Sequence, residues 1–281
     1  MEKISRNLGP KFRKIRKSKK LTMKQISGEI ISKSSLSRWE RGEQDISLAT
    51  FYKLLDEIHV FSEEASSKEL IQFISKVSDL YRKDEIKQLK NISQALLKQY
   101  AKDRSYETLI KVTTVCDLYM DLSDEDLTDT KFKHILTLQV CRIKTWYKQD
   151  LFLFANSQFF LESPVIYKKA YSLIEAVYNM TVVPDLESRA LLNAVFVLLK
   201  KKDLTHAETL LNSIKELNFS SSNLGAVYRE NYFSEVIRYI KTGNSYGVEQ
   251  CIARLGNSKM EKQLAKDSKF SLSQIKKIYK L

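Results

Sequence analysis

The chain has 281 residues and a net charge of +13, with 7 glycines and 3 prolines. That length exceeds one small domain, and so few turn residues exclude an all-β architecture, which needs such residues at every hairpin. No apolar run reaches the ~18–20 residues that cross a bilayer, and the segment from Met1 to Lys14 has no apolar signal core, so the expectation is a cytoplasmic protein with no membrane attachment.

The charge is concentrated at one end. Residues 1–41 hold 13 Lys/Arg against three acids, Glu2, Glu29 and Glu40, a local balance of +10 that leaves the other 240 residues close to neutral. A basic block on one segment points to a polyanionic partner for that segment. Within it, Leu8, Phe12 and Ile15 recur at helical spacing, with Lys11, Arg13, Lys14, Arg16 and Lys17 on the other faces of a first helix. Thr22 followed by Gln25 reads as a capping box opening a short second helix to about Ile30. Ser32 then caps a third helix, Lys33 to Arg41, which buries Leu36 and Trp39 and ends at Gly42, a residue suited to a left-handed cap. Ile46, Leu48, Phe51, Leu54, Leu55 and Ile58 supply further helix to close a small core.

A short helix, a tight turn and a helix with a polar, partly cationic face is a geometry that enters a DNA major groove. The stretch SKSSLSRWERGEQDIS, Ser32 to Ser47, resembles the helix-turn-helix of the Cro/repressor class, and more closely that of the Rgg/MutR regulators. The turn Glu29-Ile30-Ile31 is shorter than the common repressor turn and lacks its glycine, a shortening shared with the Rgg/MutR type. The resemblance implies that Lys33, Ser34, Ser37 and Arg38 read base edges, where a basic side chain bonds guanine and serine hydroxyls are permissive. It places Thr22, Lys24, Ser32 and Arg41 on backbone phosphates, which set register without reading sequence. It also makes Arg16 and Glu40 a buried structural ion pair joining the first and third helices.

The polar run from Ser62 to Ser67 marks a boundary, giving a DNA-binding domain at 1–66 and a second domain at 67–281. The second domain reads as helix throughout, in amphipathic segments at about 69–82, 84–102, 104–121, 129–148, 150–161, 165–181, 186–201, 205–217, 223–242, 245–256 and 260–280. LLKKKDLTHAETLL, from Leu198, resembles a tetratricopeptide junction with Ala207 at the helix contact. IKTGNSYGVEQCI, from Ile240, repeats the theme with Gly247. The expected fold is therefore all-α: a Cro/repressor-type helix-turn-helix followed by an α-solenoid of tetratricopeptide-like hairpins.

Asn156, Asn193 and Asn231 fall 37 and 38 residues apart, each 14 to 16 residues before a small residue, Ala170, Ala207 or Gly247. This spacing places them on the first helices of successive hairpins, which line the inner side of a solenoid, where amides can bond a peptide backbone; chance agreement with a chosen period is the competing explanation. Tyr228 shares the face of Asn231, and Arg142 can pair with an acidic ligand group. The aromatics Trp146, Tyr147, Phe152, Phe154, Phe159 and Phe160 read mainly as core. LFLFANSQFF, Leu151 to Phe160, resembles a segment of the Rgg/MutR regulatory domain.

Nothing in the sequence favours catalysis. His59, His134 and His206 are scattered, there is no phosphate-cradling glycine loop or G-x-S-x-G, and Cys116, Cys141 and Cys251 form no C-x-x-C pair, so no metal, cofactor or disulfide framework is expected. The family resemblance implies a homodimer on double-stranded DNA bearing an inverted repeat, controlled by a short peptide ligand of the pheromone type. A ligand-independent repressor, and a helical adaptor tethered to DNA, stand as alternatives.

Overall fold

Helix starts are set by short side chains that accept backbone N–H groups left over at the first turn. Thr22, Ser32, Ser105, Asp129, Asp203, Asn223 and Ser258 each cap a helix in this way. The computed structural model describes residues 3–4, 6–18, 21–28, 30–58, 66–178, 180, 183–217, 219 and 223–281. Glu29, His59 and residues 62–65 lie outside the described residues, and the expected boundary between 66 and 67 falls after the first residue of the helix Ser66–Arg82.

The chain is all-α, and its helices are α1 Gly9–Ser18, α2 Met23–Ser27, α3 Lys33–Glu40, α4 Leu48–Glu57, α5 Ser66–Arg82, α6 Ile86–Asp103, α7 Tyr106–Ser123, α8 Thr130–Arg142, α9 Lys148–Ala155, α10 Ser163–Val177, α11 Asp185–Lys200, α12 Leu204–Lys215, α13 Leu224–Thr242, α14 Tyr246–Ala253 and α15 Lys259–Tyr279. The sheet among the described residues is a two-stranded antiparallel ribbon, β1 Lys3–Ile4 with β2 Ile46–Ser47, pairing Ile4 with Ile46. Ile46 thus packs as a strand residue and not as the start of α4. The chain forms two compact units, Met1–Asn156 and Ser157–Leu281.

In the first unit, Phe12, Ile26, Leu36, Trp39, Ile46, Leu54, Leu55 and Ile58 form one buried cluster. Trp39 is at its centre, 5.0 Å from Phe12 and 5.8 Å from Phe51 between ring centroids. Gly42 follows α3 at φ 78°, the left-handed conformation that favours glycine, and donates its N–H to the Trp39 carbonyl at 2.8 Å. A second cluster unites Val77, Leu89, Val115 and Tyr119 across α5, α6 and α7.

Gly9 sits where α1 crosses α3, and a Cβ there would fall inside the carbonyl group of Trp39, a backbone atom that cannot step aside. Gly9→Ala is expected to destabilise this domain by about 1–3 kcal/mol, measured as a lower urea midpoint. Gly247→Ala is the contrast. Its Cβ would meet the ends of the Glu235 and Arg238 side chains, which can swing away, so a much smaller change is expected.

Two segments depart from the sequence expectation. The helix expected over 129–148 stops at Arg142, and α9 restarts because the Asp150 carboxylate accepts the Tyr147 N–H at 3.3 Å while Trp146 packs on Phe154 at 5.4 Å. The helix expected over 150–161 ends at Ala155 and is followed by a single 3-10 turn, Gln158–Phe160. In the second unit, α11, α13 and α15 pack side by side, with α10, α12 and α14 joining them as hairpin partners. Ala170 and Ala207 are fully buried at these contacts, as their size predicts.

Candidate nucleic-acid interface and ligand face

The α3 helix turns Leu36, Trp39 and Glu40 inward and leaves Lys33, Ser34 and Arg38 exposed, with Ser37 half-buried. The Ser32 hydroxyl accepts the Ser35 N–H at 3.1 Å and meets the Ser34 hydroxyl at 3.0 Å. Thr22 and Gln25 close the expected capping box: the Thr22 hydroxyl accepts the Gln25 N–H at 3.3 Å, and the Gln25 side chain accepts the Thr22 N–H at 2.8 Å. Lys24 lies exposed on α2, and Lys11, Lys14 and Lys17 are exposed on α1.

Arg16 and Glu40 form the expected pair. The guanidinium donates to both carboxylate oxygens at 2.5 and 2.6 Å, with side-chain exposures of 6% and 1%, and also reaches the Leu21 carbonyl at 2.7 Å. A planar guanidinium on a carboxylate in this bidentate form fixes α1 against α3.

Arg41 is less simple than a phosphate contact. It donates to both oxygens of Glu43 at 2.6 and 2.8 Å and to the Ser37 hydroxyl at 2.7 Å. These hydrogen bonds from Arg41 hold the Glu43 carboxyl below its usual range. Gln44 steadies the same end of α3 by donating to the Ser35 carbonyl at 2.8 Å. Sequence reasoning passed over Glu43 and Gln44, although the run Arg41-Gly42-Glu43 places an acid within reach of the arginine.

The asparagine positions divide. Asn156 lies just past the end of α9, not on the first helix of a hairpin, because its side-chain amide donates to the Phe152 carbonyl at 2.8 Å and closes that helix. Asn231 is exposed on α13 and donates to the Val227 carbonyl at 3.1 Å. Asn193 is half-buried on α11 and accepts a hydrogen bond from Arg229 of α13 at 2.8 Å. The Tyr228 hydroxyl lies 2.9 Å from that of Ser268 on α15, and Arg142 is exposed at the end of α8.

The second unit carries a periodicity the sequence reading missed. Phe159, Phe196 and Phe233 recur every 37 residues and contact one another in order: Phe159 to Phe196 at 6.5 Å edge-on, then Phe196 to Phe233 at 6.0 Å stacked. Lys200 lies over the first two rings, at 4.5 and 5.6 Å, and Arg229 over the third at 5.4 Å. The spacing was visible, but Phe159 reads as core when taken with its aromatic neighbours. On α11 every residue from Ala190 to Leu199 is buried except Asn193 and Phe196, which continue the line of exposed Arg189 and half-buried Lys200. These four share one helical face.

Elsewhere, burial pushes the Cys116 thiol up to about 12, leaving it unreactive at neutral pH. His206 lies 2.8 Å from the Asp203 carboxylate, and its ring packs against that of Tyr167 at 4.3 Å, tilted by 38°. Among the described residues no group of three or more His, Cys, Asp or Glu is placed to hold a metal, and no helix is long and apolar enough to cross a membrane.

A short α2, a tight turn and the polar-faced α3, closed by α4 over one apolar core, define a helix-turn-helix DNA-binding protein. Residues 12–60 match the family described as helix-turn-helix. Residues 89–265, more than half of the chain, match the C-terminal domain of the HTH-type transcriptional regulator Rgg, and the chain belongs to that family. Solved structures share the fold over almost the whole length. The SHP pheromone receptor Rgg2 of Streptococcus dysgalactiae is 19% identical, with 97% of this chain and 98% of that one covered at a TM-score of 0.51. A protein from Listeria monocytogenes EGD-e is 21% identical over 96% of this chain and 97% of that one, at 0.54. PrgX in its complex with iCF10 is 16% identical over 99% and 92%, at 0.50.

Proposed function

We propose that this Rgg-family regulator acts in the cytoplasm as a homodimer on an inverted-repeat operator, and that a short peptide held on the α11–α13 face controls its DNA binding. The observation that carries the ligand face is α11 itself: a helix buried on every side but one, whose open line bears Arg189, Asn193, Phe196 and Lys200. Such a line offers hydrogen-bonding groups for a backbone and an aromatic platform for apolar side chains. The pheromone-receptor description of the similar Rgg2 structure supports carrying that role to this chain. Domain 1–66 binds DNA, and domain 67–281 binds ligand and dimerises.

On the DNA side, Lys33, Ser34, Ser37 and Arg38 read bases, while Thr22, Lys24, Ser32 and Arg41 hold phosphates, Arg41 exchanging Glu43 for a phosphate on docking. On the ligand side, Asn193 is the central residue, Asn231 and Tyr228 lie on the next helix, and Asn156 and Arg142 serve outside this face. Differential affinity of the peptide for two dimer states shifts their populations and hence operator occupancy.

The test is fluorescence-anisotropy binding to the DNA upstream of the protein's own reading frame, at two salt concentrations, with and without pooled apolar octapeptides. Specific, salt-dependent binding that the pool alters supports the reading; specific binding unmoved by any pool leaves a ligand-independent regulator. Arg38→Ala is expected to weaken specific binding by about 1–3 kcal/mol and relax preference at one base position, whereas Lys24→Ala should weaken all sequences alike and reduce the salt slope by about 1. An unchanged sequence preference in Arg38→Ala removes its base-reading role.

A further inference from the structure

Arg229 stands out on the ligand face because of what surrounds its charge. Its guanidinium donates to the neutral amide oxygen of Asn193 at 2.8 Å and lies 5.4 Å from the centre of the Phe233 ring. Among the described residues no carboxylate lies within ion-pair distance of it. Asp267 on α15 acts on it through space, and the cationic Arg189 opposes it. Burial, the largest influence, pulls its pKa down to about 10, which leaves the group charged at neutral pH. A guanidinium held by a neutral amide and an aromatic ring, half removed from water, has lost solvation that no directly bonded anion restores.

The arrangement is nevertheless ordered. Asn193 fixes one nitrogen, Phe233 fixes the plane, and the remaining N–H groups form a fork suited to a two-point bond with a carboxylate. Half-buried Phe159 and Phe196 run beside it as an apolar platform, backed by the buried ring of Phe233. Resting on the peptide-ligand reading above, we propose that Arg229, positioned by Asn193, binds a carboxylate of the peptide, either its C-terminus or an Asp/Glu side chain. Selection then has two parts: apolar side chains lie along Phe159 and Phe196, and one negative charge sets register at Arg229. A peptide of the same apolar composition without that charge leaves the guanidinium unsatisfied and binds weakly.

The probes are three fluorescein-labelled pools of random octapeptides made from Ile, Leu, Val, Phe and Gly: one with a free C-terminal carboxylate, one amidated, and one amidated with a single internal Asp. Anisotropy with the unmodified full-length protein is expected to show the free-acid pool or the Asp pool binding at least about tenfold more tightly than the neutral amidated pool; which of the two recovers identifies the source of the carboxylate. Arg229→Gln should abolish that preference, and Arg229→Lys should restore part of it. Equal binding of charged and neutral pools by the unmodified protein overturns the proposal without any reliance on a variant's folding. If no pool binds at all, the peptide reading itself fails, and the carboxylate anchor with it.

Discussion

Glu40→Ala is expected to lower the stability of the DNA-binding domain by about 3–5 kcal/mol, because it leaves the Arg16 guanidinium buried without its counterion. Arg16 and Glu40 are 5% and 1% exposed, so water cannot replace the lost carboxylate. The domain has little to spare, since small domains bury a limited fraction of their surface. The chain contains two tryptophans, Trp39 and Trp146, and only Trp39 lies in the helix-turn-helix core. In a Trp146→Phe background, fluorescence during urea unfolding therefore reports this domain alone. The double variant Arg16→Met with Glu40→Leu removes both charges and leaves apolar volume, so it is expected to recover most of the loss. Should Glu40→Ala keep its urea midpoint while losing operator binding, the pair would be a DNA contact and its structural role would be wrong.

That pair shows how much of the first domain could be read from the chain. Capping is a local rule, so Thr22 with Gln25, and Ser32, mark the starts of α2 and α3 without any tertiary information. The core residues follow from helical spacing, and the structure joins Phe12, Leu36, Trp39, Leu54 and Ile58 in one cluster. The β ribbon could not be read: two residues per strand carry no alternation, and its pairing joins positions more than 40 residues apart. The Arg41–Glu43 contact was missed for a different reason. Phosphate contacts were carried over from a family pattern, and a pattern of exposed positions does not say which of them neutralise one another.

In the second unit the helices and the small residues at their contacts were legible, because amphipathic period and side-chain volume are properties of single segments. The proposed ligand face was only partly so. A period near 37 was correct, but asparagine was the weaker marker for it. The amide of Asn156 is consumed in ending α9, whereas the rings of Phe159, Phe196 and Phe233 keep the period and touch. Arg229 carries no sequence signal of its own. What distinguishes it is a cation beside an amide and a ring, and that appears only when α11 and α13 are laid side by side.

The packing of α11 sets up the second large effect, Leu198→Ala, expected to destabilise the helical unit by about 2–5 kcal/mol. Leu198 is fully buried on the side of α11 away from the Asn193–Phe196 line, and α10, α12, α13 and α15 all pack on this helix. A void walled by several helices closes poorly, so the loss should fall in the upper part of that range. Because each hairpin of a solenoid is stabilised chiefly by its neighbours, loosening α11 also weakens the support of α13. Arg229 is held to α11 through Asn193, so its placement depends on that support. Far-ultraviolet circular dichroism in urea should show a lower midpoint, and the octapeptide pools should bind less tightly even though no residue of the ligand face has changed. Full stability in this variant would mean that α11 is not the central support of the unit. Lost stability with peptide affinity unchanged would mean that the ligand is held elsewhere.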